Sequence, residues 1–205
     1  MIRYKSVEKE AHAEQVIDRS RFIAHIRPCG SREEAEEYIR SIRTQYRDAT
    51  HNVPCFIVGE KQELMWASDD GEPAGTSGAP VMQMLGREGL TNLVCVVTRY
   101  FGGIKLGTGG LVRAYTSSAR LALDAAVIRE VRDLRSVHIR VPYTILGKLQ
   151  NMEQNLPFTI SDIEYADLVT MTLTFAPEDE SLLMPGIVEM TAGNPDILWT
   201  ENFLA

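Results

Sequence analysis

Leu93-Val94-Cys95-Val96-Val97-Thr98-Arg99-Tyr100-Phe101-Gly102-Gly103-Ile104-Lys105-Leu106-Gly107-Thr108-Gly109-Gly110-Leu111-Val112-Arg113 sets a continuous apolar run against a glycine-rich loop and the opening of a helix. An uninterrupted apolar run of this length reads as a strand covered on both faces. After the loop, Leu111, Tyr115, Ser118, Leu121, Ala122 and Ala125 fall on one stripe, which predicts a helix over residues 108–126. Upstream stands a second unusual stretch, Ser68-Asp69-Asp70-Gly71-Glu72-Pro73-Ala74-Gly75-Thr76-Ser77-Gly78-Ala79-Pro80. Ten of the fifteen glycines lie between Gly71 and Gly110. Such density costs backbone entropy unless the chain needs positive φ or a close approach.

Outward from this centre, residues 20–26 and 93–98 read as strands, as do 53–58 and 63–67 joined by a polar turn. Pro54 marks the third of these as an edge or a strand start. Ser31 and Glu34 form a capping box ahead of an amphipathic helix over 32–46. Pro80 opens a further helix that Gly89 stops after about residue 88. After Leu134 the pattern restarts: strand 137–143, helix 145–154, strands 158–165 and 168–175, helix 181–192 and strand 197–201. That succession is the split βαβ, ferredoxin-like order. The expected fold is α+β, with domains over 1–134 and 135–205.

Charge divides in the same place. Residues 1–135 hold 19 Lys and Arg against 18 Asp and Glu, whereas residues 136–205 hold 2 against 10, within a net charge of −7. The acidic part would repel phosphates and is unsuited to wrap nucleic acid by itself. Two roles are expected of it instead, docking a protein partner or shielding the site. No apolar run approaches the roughly 18 residues of a membrane span, and charged sequence follows Met1 without a secretory apolar region. Cys29, Cys55 and Cys95 show no metal or disulfide spacing and read as buried free thiols. These features lead to the expectation of a cytoplasmic protein with no membrane contact.

The loop from Gly102 to Gly110, between a strand and a helix N-terminus, has the make-up of an anion site. Amides at Gly102, Gly103, Gly107, Thr108, Gly109 and Gly110 would face phosphate oxygens, Lys105 would add a mobile cation, and Arg99 and Arg113 could fork onto the anion. The plainer role of the glycines is a sharp turn with close helix–strand packing. The spacing is neither a Walker loop nor the dinucleotide fingerprint. Gly107-Thr108-Gly109-Gly110-Leu111 resembles the phosphate loop of homoserine and mevalonate kinases, which are much longer chains. The acidic stretch forms a candidate second loop, with Asp69, Asp70, Glu72, Thr76 and Ser77, which His51 could join. Its carboxylates could hold a divalent cation or act as acid and base; the plainer role is an Asx turn before Gly71. No complete catalytic set is present, no metal-ligand spacing is found, and no cofactor is expected.

Ser20-Arg21-Phe22-Ile23, Asp48-Ala49-Thr50-His51-Asn52 and the two glycine-rich stretches resemble the IMPACT family, strongly over residues 15–125. The resemblance implies a ribosomal-protein-S5-domain-2-like N-terminal domain, followed by a small ferredoxin-like C-terminal domain as in bacterial members. It also implies a translation-linked regulator. The kinase-related role of eukaryotic members belongs to an additional N-terminal module and is not expected here. Two functions follow: a non-enzymatic binding protein that grips RNA or the ribosome through the cationic loop, or a small enzyme acting on a phosphorylated metabolite or nucleotide through Asp70 and Glu72. The first is preferred.

Overall fold

The computed structural model describes residues 2–205, which fall into two units, Tyr4–Glu130 and a second formed by Val131–Ala205 with Ile2 and Arg3. The division falls within two strands, β1 (Ile2–Val7) and β7 (Ile128–Val141). Among the described residues no helix is long and apolar enough to cross a membrane.

The first unit is built on a five-stranded sheet of β2 (Ala11–Ile17), β3 (Ser20–Pro28), β4 (His51–Val58), β5 (Leu64–Ala67) and β6 (Leu93–Tyr100). Their order is β2-β3-β6-β4-β5, antiparallel throughout. Three helices cover it: α1 (Arg32–Gln45), α2 (Gly78–Arg87) and α3 (Gly107–Ala125). The period-two alternation of strand side chains sorts β6 between two cores. Leu93, Cys95 and Val97 pack with Val81 and Leu85 of α2 and with Leu111, Tyr115 and Ala119 of α3. Val94 and Val96 pack with Ala35, Tyr38, Ile39 and Ile42 of α1. Burial of β6 on both faces is thus as its apolar run requires. Each fully buried Leu or Val contributes about 1.5–3 kcal/mol relative to exposure.

Several local expectations change. β4 lies between β6 and β5, so Pro54 is neither at an edge nor at a strand start. Its carbonyl accepts from Ser68 N at 3.1 Å. Since the N and C=O of one strand residue face the same side, the missing N–H faces Ser68, and the reciprocal ladder bond cannot form just where β5 ends. Helix α2 begins two residues before Pro80, at Gly78. The capping box is half formed: Ser31 Oγ accepts from Glu34 N, while Glu34 reaches Gly30 N rather than Ser31 N. Strands β1 and β2 carry no strong sequence signal, because the inward positions of β2 are Ala11, Ala13, Gln15 and Ile17, which give little apolar contrast. β7 begins well before residue 137; the charged residues of its first half disguise its alternation.

The second unit runs β7, α4 (Tyr143–Glu153), β8 (Phe158–Tyr165), β9 (Val169–Phe175), α5 (Glu180–Met190) and β10 (Asp196–Leu204). β7 lies between β9 and β10, and β9 pairs onward with β8, each pair antiparallel. Ile145 and Leu149 of α4 and Leu183 and Ile187 of α5 close one face over Val137, Ile139, Met171 and Leu173. The free thiols of Cys29, Cys55 and Cys95 are all buried.

Candidate functional site

Arg99 is the next inward-facing residue of β6 after Leu93, Cys95 and Val97, so a guanidinium arrives where the core ends. Register places it opposite Phe22 of β3 and His51 of β4. The same parity turns Ser20 toward that face. The Arg99 Nη1 donates to Glu72 Oε1 at 2.6 Å and Nη2 to Ser20 Oγ at 3.3 Å. The rings of Phe22 and Phe101 each lie 5.4 Å from its Cζ. Its Nε is buried without a hydrogen-bond partner among the described residues.

Glu72 gathers the rest of the cluster. Tyr115, fully buried on α3, donates its hydroxyl to Glu72 Oε1 at 2.7 Å. Burial and the adjacent carboxylate both push the Tyr115 phenol upward, keeping it a proton donor. His51 Nδ1 lies 2.8 Å from the Asp70 carbonyl oxygen; a carbonyl only accepts, so Nδ1 carries the proton. His51 Nε2 stands 3.8 Å from Glu72 Oε1. Two segments distant in sequence, one acidic and one cationic, are joined through Glu72 and Arg99.

The rest of the acidic stretch organises its own loop. Asp69 accepts from the amides of Gly75, Ser77 and Gly78 and from Ser77 Oγ. These bonds supply the cap of α2 and explain its early start. Gly78 is required by close approach, because a Cβ there would strike the Ser68 carbonyl. Thr76 Oγ1 donates to the Pro73 carbonyl. Asp70 has one oxygen on Arg43 Nη2 and the other on Asn52 N, each at 2.7 Å. An acid–base or metal role for Asp69 and Asp70 therefore meets carboxylates already engaged in holding the loop, and among the described residues no cluster of metal-ligating side chains forms.

The glycine loop is different. Phe101 N donates to Thr50 Oγ1 and Gly102 N to Ser20 Oγ. Beyond them, the amides of Gly103, Ile104 and Lys105 make no hydrogen bond among the described residues, and all three residues are exposed. Gly103 takes φ +85° and Gly107 +70°, a region glycine enters without strain. α3 starts at Gly107 with Leu106 as a cap that offers no side-chain acceptor. Its first amides and the positive end of its dipole are left open.

A cavity of about 370 Å³ lies at this place. Glu72, Arg99 and Leu111 are its buried lining, Leu106 is half-buried, and Pro73, Phe101, Lys105, Gly107 and Thr108 are its exposed lining. Of the residues singled out in the sequence, the structure collects Glu72, Arg99, Lys105, Gly107 and Thr108 there, with His51 behind Glu72. Arg99 is not free to fork onto a phosphate, since both terminal nitrogens serve Glu72 and Ser20. Arg113 is exposed one turn further along α3 and lines a separate hollow with Asp18 and Gly110. Phe101, Tyr115 and Ser20 complete the cluster without having been singled out. Tyr115 could have been found from its place on the inward stripe of α3, two turns past the glycines.

Residues 18–123 match the Impact N-terminal domain and residues 139–194 a domain of unknown function, DUF1949. The chain belongs to the IMPACT family. It is 37% identical over 194 residues to the IMPACT family member YvyE of Bacillus subtilis, covering 95% of this chain and 89% of that one. It is 28% identical to the IMPACT family member YigZ of Escherichia coli over 91% of this chain and 92% of YigZ. A crystal structure described as a hypothetical protein aligns over 95% of this chain and 96% of its own, at 27% identity and a TM-score of 0.61.

Proposed function

We propose that this IMPACT family protein regulates translation as a non-enzymatic RNA- or ribosome-binding module that grips phosphate with its glycine loop. One observation carries the reading: Gly103, Ile104 and Lys105 present exposed, unengaged amides beside the uncapped N-terminus of α3. Among the described residues Lys105 has no ion-pair partner. Unsatisfied donors at a helix N-terminus favour an anion, and a lysine without a carboxylate adds attraction that no internal pair cancels. The family membership points to translation, and the net-acidic sequence from residue 136 suits a protein partner better than RNA. The enzyme reading loses support, because Asp69 and Asp70 are engaged in the loop and Glu72 in an ion pair.

The test is binding of a labelled ribosomal RNA fragment at low and moderate salt. The wild type should bind with a steep salt dependence. Lys105→Ala should weaken binding and lower the salt slope by about one, with no change in melting temperature, since the side chain is exposed. Equal binding by wild type and Lys105→Ala would remove the reading.

A further inference from the structure

The phosphate reading uses Lys105, Gly107 and Thr108 of the cavity and leaves its apolar lining unexplained. Four apolar side chains line a space that also holds a nearly buried carboxylate. A phosphate on the loop has no use for Phe101, Leu106 or Leu111. The volume, about 370 Å³, lies near the lower limit of small-molecule sites and suits one nucleotide unit.

Resting on that phosphate reading, we propose that the cavity takes a nucleobase, so that the site binds one nucleoside phosphate unit with its base turned inward. Three observations converge. Phe101 is 46% exposed although it lines the cavity, and its ring is held by the Arg99 guanidinium 5.4 Å from its centre. A fixed, half-open aromatic ring is a stacking platform for any base. Glu72 has a 4% exposed side chain; its Oε1 takes the bonds from Arg99 and Tyr115, while Oε2 accepts none among the described residues. Oε2 is not among the fully buried unpartnered atoms, so it keeps access to solvent, and in a cavity that Glu72 lines the N–H edge of a base would give it a charge-assisted donor. Finally, Lys105 and the first residues of α3, Gly107 and Thr108, are exposed and line the same cavity, so a phosphate attached to such a base can reach the cation and the open helix N-terminus. An aliphatic side chain would fill the cavity yet shut solvent from Oε2 without giving it a donor, at a cost of about 1–3 kcal/mol, which is why a base is the better occupant.

The experiment compares a short, labelled single-stranded ribo-oligonucleotide with its abasic counterpart, which keeps every phosphate. The wild type should bind the intact strand at least about tenfold more tightly, as expected for one base stacked on an aromatic ring. Phe101→Ala should abolish that difference and Phe101→Trp should retain it, while Lys105→Ala weakens both strands alike. Equal affinity of the wild type for intact and abasic strands would overturn the base pocket and leave the phosphate reading standing. Failure to bind either strand would overturn both. Competition by nucleoside 5′-monophosphates would assign the pocket to free nucleotides; competition only by the oligonucleotide would assign it to RNA.

Discussion

Glu72 Oε1 lies 2.6 Å from Arg99 Nη1, with the two side chains 4% and 6% exposed. The pair joins the loop of residues 68–78 to the last inward position of β6. Burying either charge singly is costly, and the attraction between them offsets the desolvation only while both are present.

Removing one partner should therefore be worse than removing both. Glu72→Ala leaves the Arg99 guanidinium between two phenyl rings without its anion, and should lower stability by about 3–5 kcal/mol. The double variant Glu72→Leu/Arg99→Leu should lose less than either single leucine variant. Urea unfolding midpoints across the cycle measure the coupling. A double variant as unstable as the sum of the singles would show that the two groups act independently.

How far this pair was legible in the sequence depends on range. The period of two puts Arg99 on the face of Leu93, Cys95 and Val97, but a run apolar on both faces does not say which elements cover that face or that the arginine is buried there. The glycine loop and the helix after it are equally local signals. What escapes local reading is register between strands distant in sequence, which brings Ser20 and His51 beside Arg99. Nothing near Arg99 announces Glu72 as its partner; the acid arrives over 27 residues of chain. Without that partner, an arginine at the end of an apolar run reads as a solvent-facing anion ligand. β1 and β2 were hidden for another reason: alanine and charged positions give a sheet edge too little apolar contrast to declare itself.

Asp69 supplies a test in acid. Burial works against its charge, but the Ser77 hydroxyl and the amides of Gly75, Gly78 and Ser77 outweigh it and hold the carboxyl below its ordinary value of 3.8. A depressed folded value means that the stabilisation is complete above the unfolded value and is lost as pH falls through the folded one. Asp69→Ala should cost about 1–2 kcal/mol at neutral pH, in the range of a lost helix cap. The gap between wild type and variant should narrow as pH drops below about 3.8. A gap independent of pH would mean that the carboxylate charge is not what holds α2.

Gly102 tests the backbone contact beneath the site. A Cβ at this position would fall within the van der Waals envelope of the Arg19 carbonyl and close to Ser20 N. Arg19 itself stands at φ +64° and Asp18 at +44° in the β2–β3 turn, so that turn has little room to yield. Gly102→Ala should destabilise the protein by about 3 kcal/mol, at the upper end of overpacking costs. Gly109→Ala, where an added Cβ meets nothing nearer than the flexible Arg113 guanidinium at 3.8 Å, should change stability little. Thermal melting of the two variants separates a requirement for close approach from general glycine tolerance.

His25 lies under α1 with its Nε2 buried and unpartnered among the described residues. Burial, then the neighbouring His12, push its pKa down to about 4, against a smaller opposing effect of Glu10. The unfolded chain takes up this proton as pH falls below 6.5, while the folded protein resists it until about 4. Stability should therefore fall through that window by up to about 1.4 kcal/mol per pH unit from this group. His25→Leu removes both the titration and the orphan nitrogen. It should flatten the dependence between those values while leaving the neutral-pH stability close to that of the wild type. Urea midpoints collected across the window decide it, and parallel slopes for the two proteins would move the acid sensitivity to another residue.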